Sequence, residues 1–110
     1  MPVEASQLES GIVVIKISGR LAMGSETERL DATVKGLIER DQKQFILDIA
    51  TLDYLDSSGI GMLVSCLTNV RKAGGELKVV GANARIRRIF SMTGVDSVMP
   101  VFNSVAEATA

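Results

Sequence analysis

Leu52-Asp53-Tyr54-Leu55-Asp56-Ser57-Ser58-Gly59-Ile60-Gly61 is the stretch that decides the fold of this 110-residue chain. The apolar run at 45–49 precedes it and is typical of a central strand covered on both faces. Residues 59–71, which include the end of the stretch, have the apolar spacing of a helix. The stretch therefore joins a buried strand to the start of a helix, where ligand and effector sites collect on open α/β sheets.

The rest of the chain continues the alternation of strands and helices. The sequence predicts strands at 12–17, 76–80 and 98–101, a preceding hairpin strand within 1–9, and helices starting at Ser25, Asn83 and Ser104. We expect an α/β fold in one domain spanning residues 1–110, with a mixed, mainly parallel central sheet and about four helices.

Polar residues at the predicted helix starts have the spacing of caps. Ser25 with Glu28, and likewise Ser104 with Glu107, have capping-box spacing. Asn83 is expected to cap the third predicted helix, which stops near residue 94. These signals set the expected helix boundaries.

Composition excludes several classes of function. The chain has no histidine and one cysteine, so it can form neither a Ser-His-Asp or Cys-His nucleophile nor a zinc site of thiolates and imidazoles. Its net charge is -1 and only 4% of its residues are aromatic, which argues against a nucleic-acid partner. No apolar run approaches the roughly 20 residues of a membrane span, and residues 1–7 lack the basic region and apolar core that are typical of a secretory signal. We therefore expect a cytoplasmic protein with no membrane partner, metal or cofactor.

The residues Asp56, Ser57 and Ser58 admit two interpretations. All three are good N-cap residues, so the segment could simply begin a well-capped helix. Alternatively, one hydroxyl accepts a phosphate, which the N–H groups and the positive end of the helix dipole tolerate. Phosphorylation would leave the domain folded and change a partner surface instead, because it adds a charge of about -1.5 to -2 beside Asp53 and Asp56.

Three motifs follow one another in an order that resembles STAS domains. They are a Gly-x-Leu turn at 19–21, Asp-Ser-Ser-Gly-Ile-Gly at 56–61, and Ile-Phe-Ser-Met-Thr-Gly-Val at 89–95. The resemblance runs from about residue 4 to residue 107 and is strongest to the stand-alone anti-sigma-factor antagonists.

The resemblance implies a partner-switching regulator of transcription that is not an enzyme. In that scheme the unmodified antagonist binds an anti-sigma factor that is itself a serine kinase, and a sigma factor is released. Phosphorylation by the kinase ends the capture, and a PP2C-type phosphatase resets it. We expect a monomer or a weak dimer.

The resemblance also assigns roles to single residues. Ser57 would be the phosphoacceptor and Ser58 the neighbouring helix cap. Asp56 would contribute to docking or to the geometry of phosphoryl transfer, while Gly59 and Gly61 would let the partner approach the backbone. The other expected contacts of the partner or the phosphorylated loop are Asp53, Ile60 and Arg20.

The turn Gly19-Arg20-Leu21-Ala22 departs from the family pattern, which commonly has Gly-Glu-Leu-Asp there. The acid after the leucine is missing and the charge before it is reversed. This departure supports a second interpretation, a phosphorylation-independent STAS scaffold or accessory protein in a signalling or transport assembly. Arg20 could also contact a phosphate on Ser57, because guanidinium groups bind phosphate with two hydrogen bonds.

Two further classes fit less of the sequence. A Mg²⁺-dependent phospho-aspartate receiver would use Asp48, Asp53 and Asp56, but the acidic pair that receivers carry after the first strand is missing. A small enzyme with Ser57 or Ser58 as nucleophile would need a base other than histidine.

Other prominent residues have structural interpretations. These are Arg85, Arg87 and Arg88 as a solvated helix face, Met62 and Met92 as core residues, and Cys66 as a buried and inert thiol. The sequence leaves open whether Tyr54 and Leu55 lie in the core or contact a partner.

Overall fold

The structure is a computed structural model that describes residues 3–110. The strands are β1 (Val3–Gln7), β2 (Val13–Ile17), β3 (Gly19–Leu21), β4 (Gln44–Asp48), β5 (Leu52–Leu55), β6 (Glu76–Val80) and β7 (Val101–Phe102). The helices are α1 (Ser25–Glu39), α2 (Ser57–Lys72), α3 (Ala84–Thr93) and α4 (Val105–Thr109), with a 3₁₀ turn at Val95–Ser97.

The main sheet has the strand order β1-β2-β4-β6-β7. Strand β1 is antiparallel to β2, as a hairpin requires, and all the other pairs are parallel. The apolar strand β4 lies in the middle, as its continuous apolar run predicts. The expected mixed, mainly parallel α/β fold with four helices is therefore confirmed, and so is the hairpin strand expected within residues 1–9, apart from Met1 and Pro2, which lie outside the described residues.

The two faces of the sheet are covered unequally, and strand alternation decides which residues face each side. One face carries the main core, in which Ile15, Leu47 and Val79 pack with residues of α1, α2 and α3. On the other face, α4 covers Ile46 and Val80 with the buried side chain of Ala108. The main core therefore lies between the sheet and the first three helices.

The strand predicted at 98–101 is wrong in its extent, since only Val101 of that range lies in a strand. Gly94 ends α3 in the left-handed conformation, with φ at 78°, and turns the chain into the 3₁₀ turn. Val95 and Met99 are buried four residues apart, which leaves Val98 51% exposed. Helical rather than strand spacing therefore governs this segment.

Two other expectations are also wrong. The residue that caps α1 is Gly24, and Ser25 is already helical, with its hydroxyl donating to Glu26 Oε2 at 2.7 Å. Met92 is 79% exposed, because α3 buries the face that carries Ile86 and Phe90.

The other predicted caps are present. Asn83 Oδ1 accepts a hydrogen bond from the N–H of Ile86 at 2.9 Å, and Ser104 Oγ accepts one from the N–H of Glu107 at 3.1 Å. Glu107 reaches back to the N–H of Asn103, one residue before the cap, at 3.2 Å.

Candidate functional site

The stretch around Ser57 is built on a second, two-stranded sheet that the sequence did not predict. Strands β3 and β5 are parallel, and Leu21 lies opposite Leu55. The register shifts after Gly19, so that Leu52 and Tyr54 have partners while Asp53 is skipped and exposed. Strand β5 ends at Leu55 and α2 begins at residue 57, so a single residue separates strand from helix.

That single residue, Asp56, is the N-cap of α2. Its backbone is extended, and its Oδ1 accepts a hydrogen bond from the N–H of Gly59 at 2.8 Å. An Asp cap of this kind stabilises a helix by about 1 kcal/mol relative to alanine. The expectation that Ser58 is the cap is wrong, because the extended residue precedes both serines and they occupy the first two helical positions.

Asp56 also contacts the segment at 21–23, which connects β3 to α1. Its Oδ2 accepts from the N–H of Met23 at 3.4 Å, and its own N–H donates to the Leu21 carbonyl at 3.5 Å. The Asp56 carboxylate therefore links the start of α2 to the segment at 21–23. Ala22, which replaces the acid common in the family, is 6% exposed and so does not present its side chain at the surface.

The two glycines of the motif lie in different surroundings. Gly59 is buried, and a Cβ there would overlap the Leu21 carbonyl oxygen and lie 2.7 Å from Leu55 Cδ1. Its expected role of letting a partner approach is therefore wrong, because the backbone that approaches it belongs to the same chain. Gly61 is exposed and a Cβ there would have no neighbour within 4 Å, so this position is open to a partner.

Three residues of β3, β5 and the turn after β3 have exposed side chains, namely Arg20, Met23 and Tyr54. Met23 is 79% exposed and Tyr54 is 45% exposed, whereas Leu55 is buried in the core. The Arg20 guanidinium lies 4.4 Å from the centre of the Tyr54 ring, a cation–π contact between the paired strands β3 and β5. The open question about Tyr54 and Leu55 is thus answered: the tyrosine lies at the surface and the leucine inside.

We call the exposed residues Arg20, Met23, Tyr54, Ser57 and Gly61 the serine face. Sequence reasoning missed Met23, whose one local signal is a large apolar residue in a turn between Ala22 and Gly24. Ser57 is exposed, Ser58 is half-buried, and Ile60 is half-buried against the main core.

Other chemistry in the described chain is limited. Within residues 3–110, no group of three or more His, Cys, Asp or Glu side chains is arranged to hold a metal ion. Asp48, one of the three acids weighed for a receiver, accepts from the N–H of Ala50 at 3.0 Å. Burial raises the pKa of the Cys66 thiol to about 12, and the Asp31 carboxylate adds to the rise, so the thiol stays protonated and a poor nucleophile at neutral pH. Among the described helices, each is too short or too polar to cross a membrane.

Comparison with known proteins identifies the family. Residues 5–108 match the family described as the STAS domain. The chain belongs to the STAS domain family. The anti-sigma F factor antagonist of Paenibacillus polymyxa is 25% identical to it over 99 residues, which cover 89% of this chain and 84% of that relative.

Two solved structures show the same STAS fold. An anti-sigma factor antagonist from Mycobacterium paratuberculosis has a TM-score of 0.83 at 21% identity, covering 97% of this chain and 89% of that one. The phosphorylated form of SpoIIAA, a Bacillus cell fate determinant, has a TM-score of 0.76 at 20% identity, covering 97% and 96% of the two chains. The Paenibacillus polymyxa relative is named as an antagonist of an anti-sigma factor, in agreement with the expectation that this STAS protein is not an enzyme.

Proposed function

We propose that this STAS protein is an anti-sigma factor antagonist. It binds an anti-sigma factor with serine kinase activity through the serine face and dissociates when that kinase phosphorylates Ser57. The observation that carries the proposal is the position of Ser57, which is exposed and immediately follows the capping Asp56 at the start of α2.

The surroundings of the two serines favour Ser57 as the phosphoacceptor. Its side chain is exposed, whereas Ser58 is half-buried one position further into the helix. A phosphate at an exposed helix start is stabilised by about 0.3 to 1 kcal/mol, so the fold tolerates it. That the phosphorylated form of SpoIIAA has the same fold supports this point.

Phosphorylation would act on docking through charge. The phosphate dianion on Ser57 would lie next to Asp56, two residues after β5 ends at Leu55. The apolar residues of the serine face are Met23 and Tyr54. A partner that docks on the uncharged surface would have to desolvate the phosphate or meet it with its own charge, and either opposes binding.

In a second candidate function, the protein has the same fold but acts without being phosphorylated. The missing acid at Ala22 favours it, since a buried methyl group stands where the family pattern commonly has an acid. In this version the serine face binds its partner permanently, as part of a scaffold.

The decisive experiment incubates the purified protein with the serine-kinase anti-sigma factor of the same organism and ATP. We expect phosphate on Ser57 by mass spectrometry, none in Ser57→Ala, and continued modification of Ser57 in Ser58→Ala. Dephosphorylation by a PP2C-type phosphatase should restore binding.

Other outcomes separate the alternatives. Stable binding without any modification would replace the switch by the scaffold. Labelling of Ser57 or Ser58 by a fluorophosphonate probe would instead support a small enzyme with a serine nucleophile, because such probes react with activated hydroxyls.

Arg20→Ala tests whether the guanidinium on the serine face contacts the phosphate. We expect the phosphorylated form to lose about 1 kcal/mol of unfolding free energy relative to the unmodified form, because a charge-assisted hydrogen bond is removed. Lys16→Ala, which removes an exposed lysine from β2, is the matched control and should leave that difference unchanged. Equal effects of the two substitutions in urea unfolding would exclude the contact.

A further inference from the structure

Met23 is the more exposed of the two apolar residues of the serine face. Its side chain belongs to a residue that is 79% exposed, whereas Tyr54 is 45% exposed. Single apolar residues are common at protein surfaces, so exposure alone assigns Met23 no role. The fixed backbone around Met23 and the chemistry of its sulfur distinguish it from such residues.

The backbone on both sides of Met23 is held in place. Its own N–H donates to Asp56 Oδ2 at 3.4 Å, which ties it to the residue that precedes Ser57. On the other side, the carbonyl of Gly24 accepts a hydrogen bond from Thr27 Oγ1 at 3.0 Å. The thioether therefore extends into solvent from a fixed point beside the start of α2.

The other sulfur atoms of the described residues differ in how far solvent reaches them. Met99 is buried and Met62 is half-buried against the main core, so a peroxide in solution reaches these two thioethers poorly. Cys66 is buried as well, and burial raises the pKa of its thiol to about 12, which leaves almost no thiolate to react with a peroxide at neutral pH. Among the described residues, the sulfur atoms open to oxidation are therefore those of Met23 and Met92, which are both 79% exposed.

Oxidation of a methionine side chain adds one oxygen and reverses its polarity. The sulfur lone pair attacks a hydroperoxide, an S–O bond forms and the O–O bond breaks. The second peroxide oxygen takes the proton of the transferred oxygen and leaves as water or an alcohol, so the sulfur loses two electrons and the peroxide gains two. Methionine sulfoxide reductases reverse the change with two electrons from a dithiol, which becomes a disulfide as water is released.

A sulfoxide at Met23 would oppose docking on the serine face. A partner that covers this face buries the Met23 side chain, and the burial of an apolar thioether is favourable. The sulfoxide oxygen would instead lose its hydrogen bonds to water, which costs free energy unless the partner supplies a donor. Because Met23 lies outside the core, the fold would tolerate the added oxygen.

We propose that Met23 is a site of reversible oxidation by hydroperoxides, and that its sulfoxide prevents the anti-sigma factor from docking on the serine face. The oxidation itself depends on the exposure of Met23, whereas its effect on docking rests on the proposed function. Phosphorylation of Ser57 and oxidation of Met23 would thus oppose docking on the same face, the first through charge and the second through an uncharged polar group.

Treatment with hydrogen peroxide tests the proposal. The purified protein is oxidised alone, the peroxide is removed with catalase, and the anti-sigma factor is then titrated without ATP, so that Ser57 stays unmodified. Peptide mass spectrometry should show sulfoxide at Met23 and Met92 before Met99. The dissociation constant should rise about tenfold while the urea midpoint stays unchanged, and methionine sulfoxide reductases with dithiothreitol should restore the affinity.

Met23→Leu and Met92→Leu form a matched pair, because the two methionines are equally exposed and α3 contributes no residue to the serine face. Met23→Leu has an apolar side chain without sulfur, so it should bind like the wild type before and after peroxide treatment. Met92→Leu should lose affinity on oxidation as the wild type does. Met23→Gln is polar without any oxidation and should bind about tenfold more weakly.

Three results would contradict parts of this scheme, and they are distinguishable. Unchanged affinity after complete oxidation of Met23 would overturn the inference while the proposed function stands. An equal loss of affinity in peroxide-treated Met23→Leu would also overturn it, because another methionine, Met1 included, would then be responsible. Untreated protein that fails to bind the anti-sigma factor would overturn the proposed function and, with it, the effect of oxidation on docking.

Discussion

Gly59→Ala is expected to lower the free energy of unfolding by about 3 kcal/mol, a large effect for one methyl group. The added carbon would overlap the Leu21 carbonyl oxygen, which belongs to the backbone of β3 and cannot turn aside as a side chain could. To relieve the overlap, the first turn of α2 must move away from the segment at 21–23. That movement would also separate Asp56 from the N–H of Met23 and so disturb the serine face.

Gly61→Ala is the matched control, two residues further along the same helix. A methyl group there meets no neighbour within 4 Å, and alanine is the better helix former. We expect this variant to be more stable than wild type by about 0.5 to 1 kcal/mol. Urea unfolding followed by circular dichroism measures both variants. Equal urea midpoints for Gly59→Ala and Gly61→Ala would show that the backbone near Leu21 can move away from an added methyl group without loss of stability.

Ser57→Asp is expected to weaken binding to the anti-sigma factor about 100-fold, because like charge or an unpaired charge in an interface opposes association by several kcal/mol. The same substitution places an acid in the first turn of α2, where the helix dipole favours negative charge. The unfolding free energy should therefore stay the same or rise slightly. Loss of binding without loss of stability is what distinguishes a docking effect from misfolding.

Ala84→Asp is the corresponding control on another helix. Ala84 is exposed and is the first residue of α3, directly after the capping Asn83, as Ser57 is directly after Asp56. The control therefore adds the same charge at an equivalent helix position away from the serine face. Calorimetric titration with the anti-sigma factor should show wild-type affinity for Ala84→Asp. Equal weakening by both variants would mean that net charge, rather than the position of Ser57, controls binding.

The helix starts show how far local sequence carries a prediction. Asn83 and Ser104 cap α3 and α4 as expected, because an N-cap depends on residues within one turn. Ser25 fails the same test because Gly24 already occupies the capping position. Spacing alone identifies a helix start but does not choose between adjacent candidates.

The serine motif shows the same limit at the site. Its location at the junction of strand and helix was predictable, because the apolar run at 45–49 and the helical spacing after residue 59 are both local signals. The choice of Asp56 over Ser58 as the cap was not predictable. It depends on β5 continuing to Leu55, and that strand exists only through its pairing with β3.

The sequence by itself determined the α/β alternation, the middle position of β4 and the segment that carries the serine, because strand and helix periodicity and capping chemistry lie in neighbouring residues. Only the tertiary structure decided that Gly59 faces Leu21, that Asp56 holds the N–H of Met23, and that Tyr54 lies outside while Leu55 lies inside. Those features join β3 and its following turn to α2 across more than thirty residues of chain, for example 33 between Met23 and Asp56. Contacts between residues so far apart in the chain produce no periodic pattern of apolar residues, since they depend on how separate elements pack.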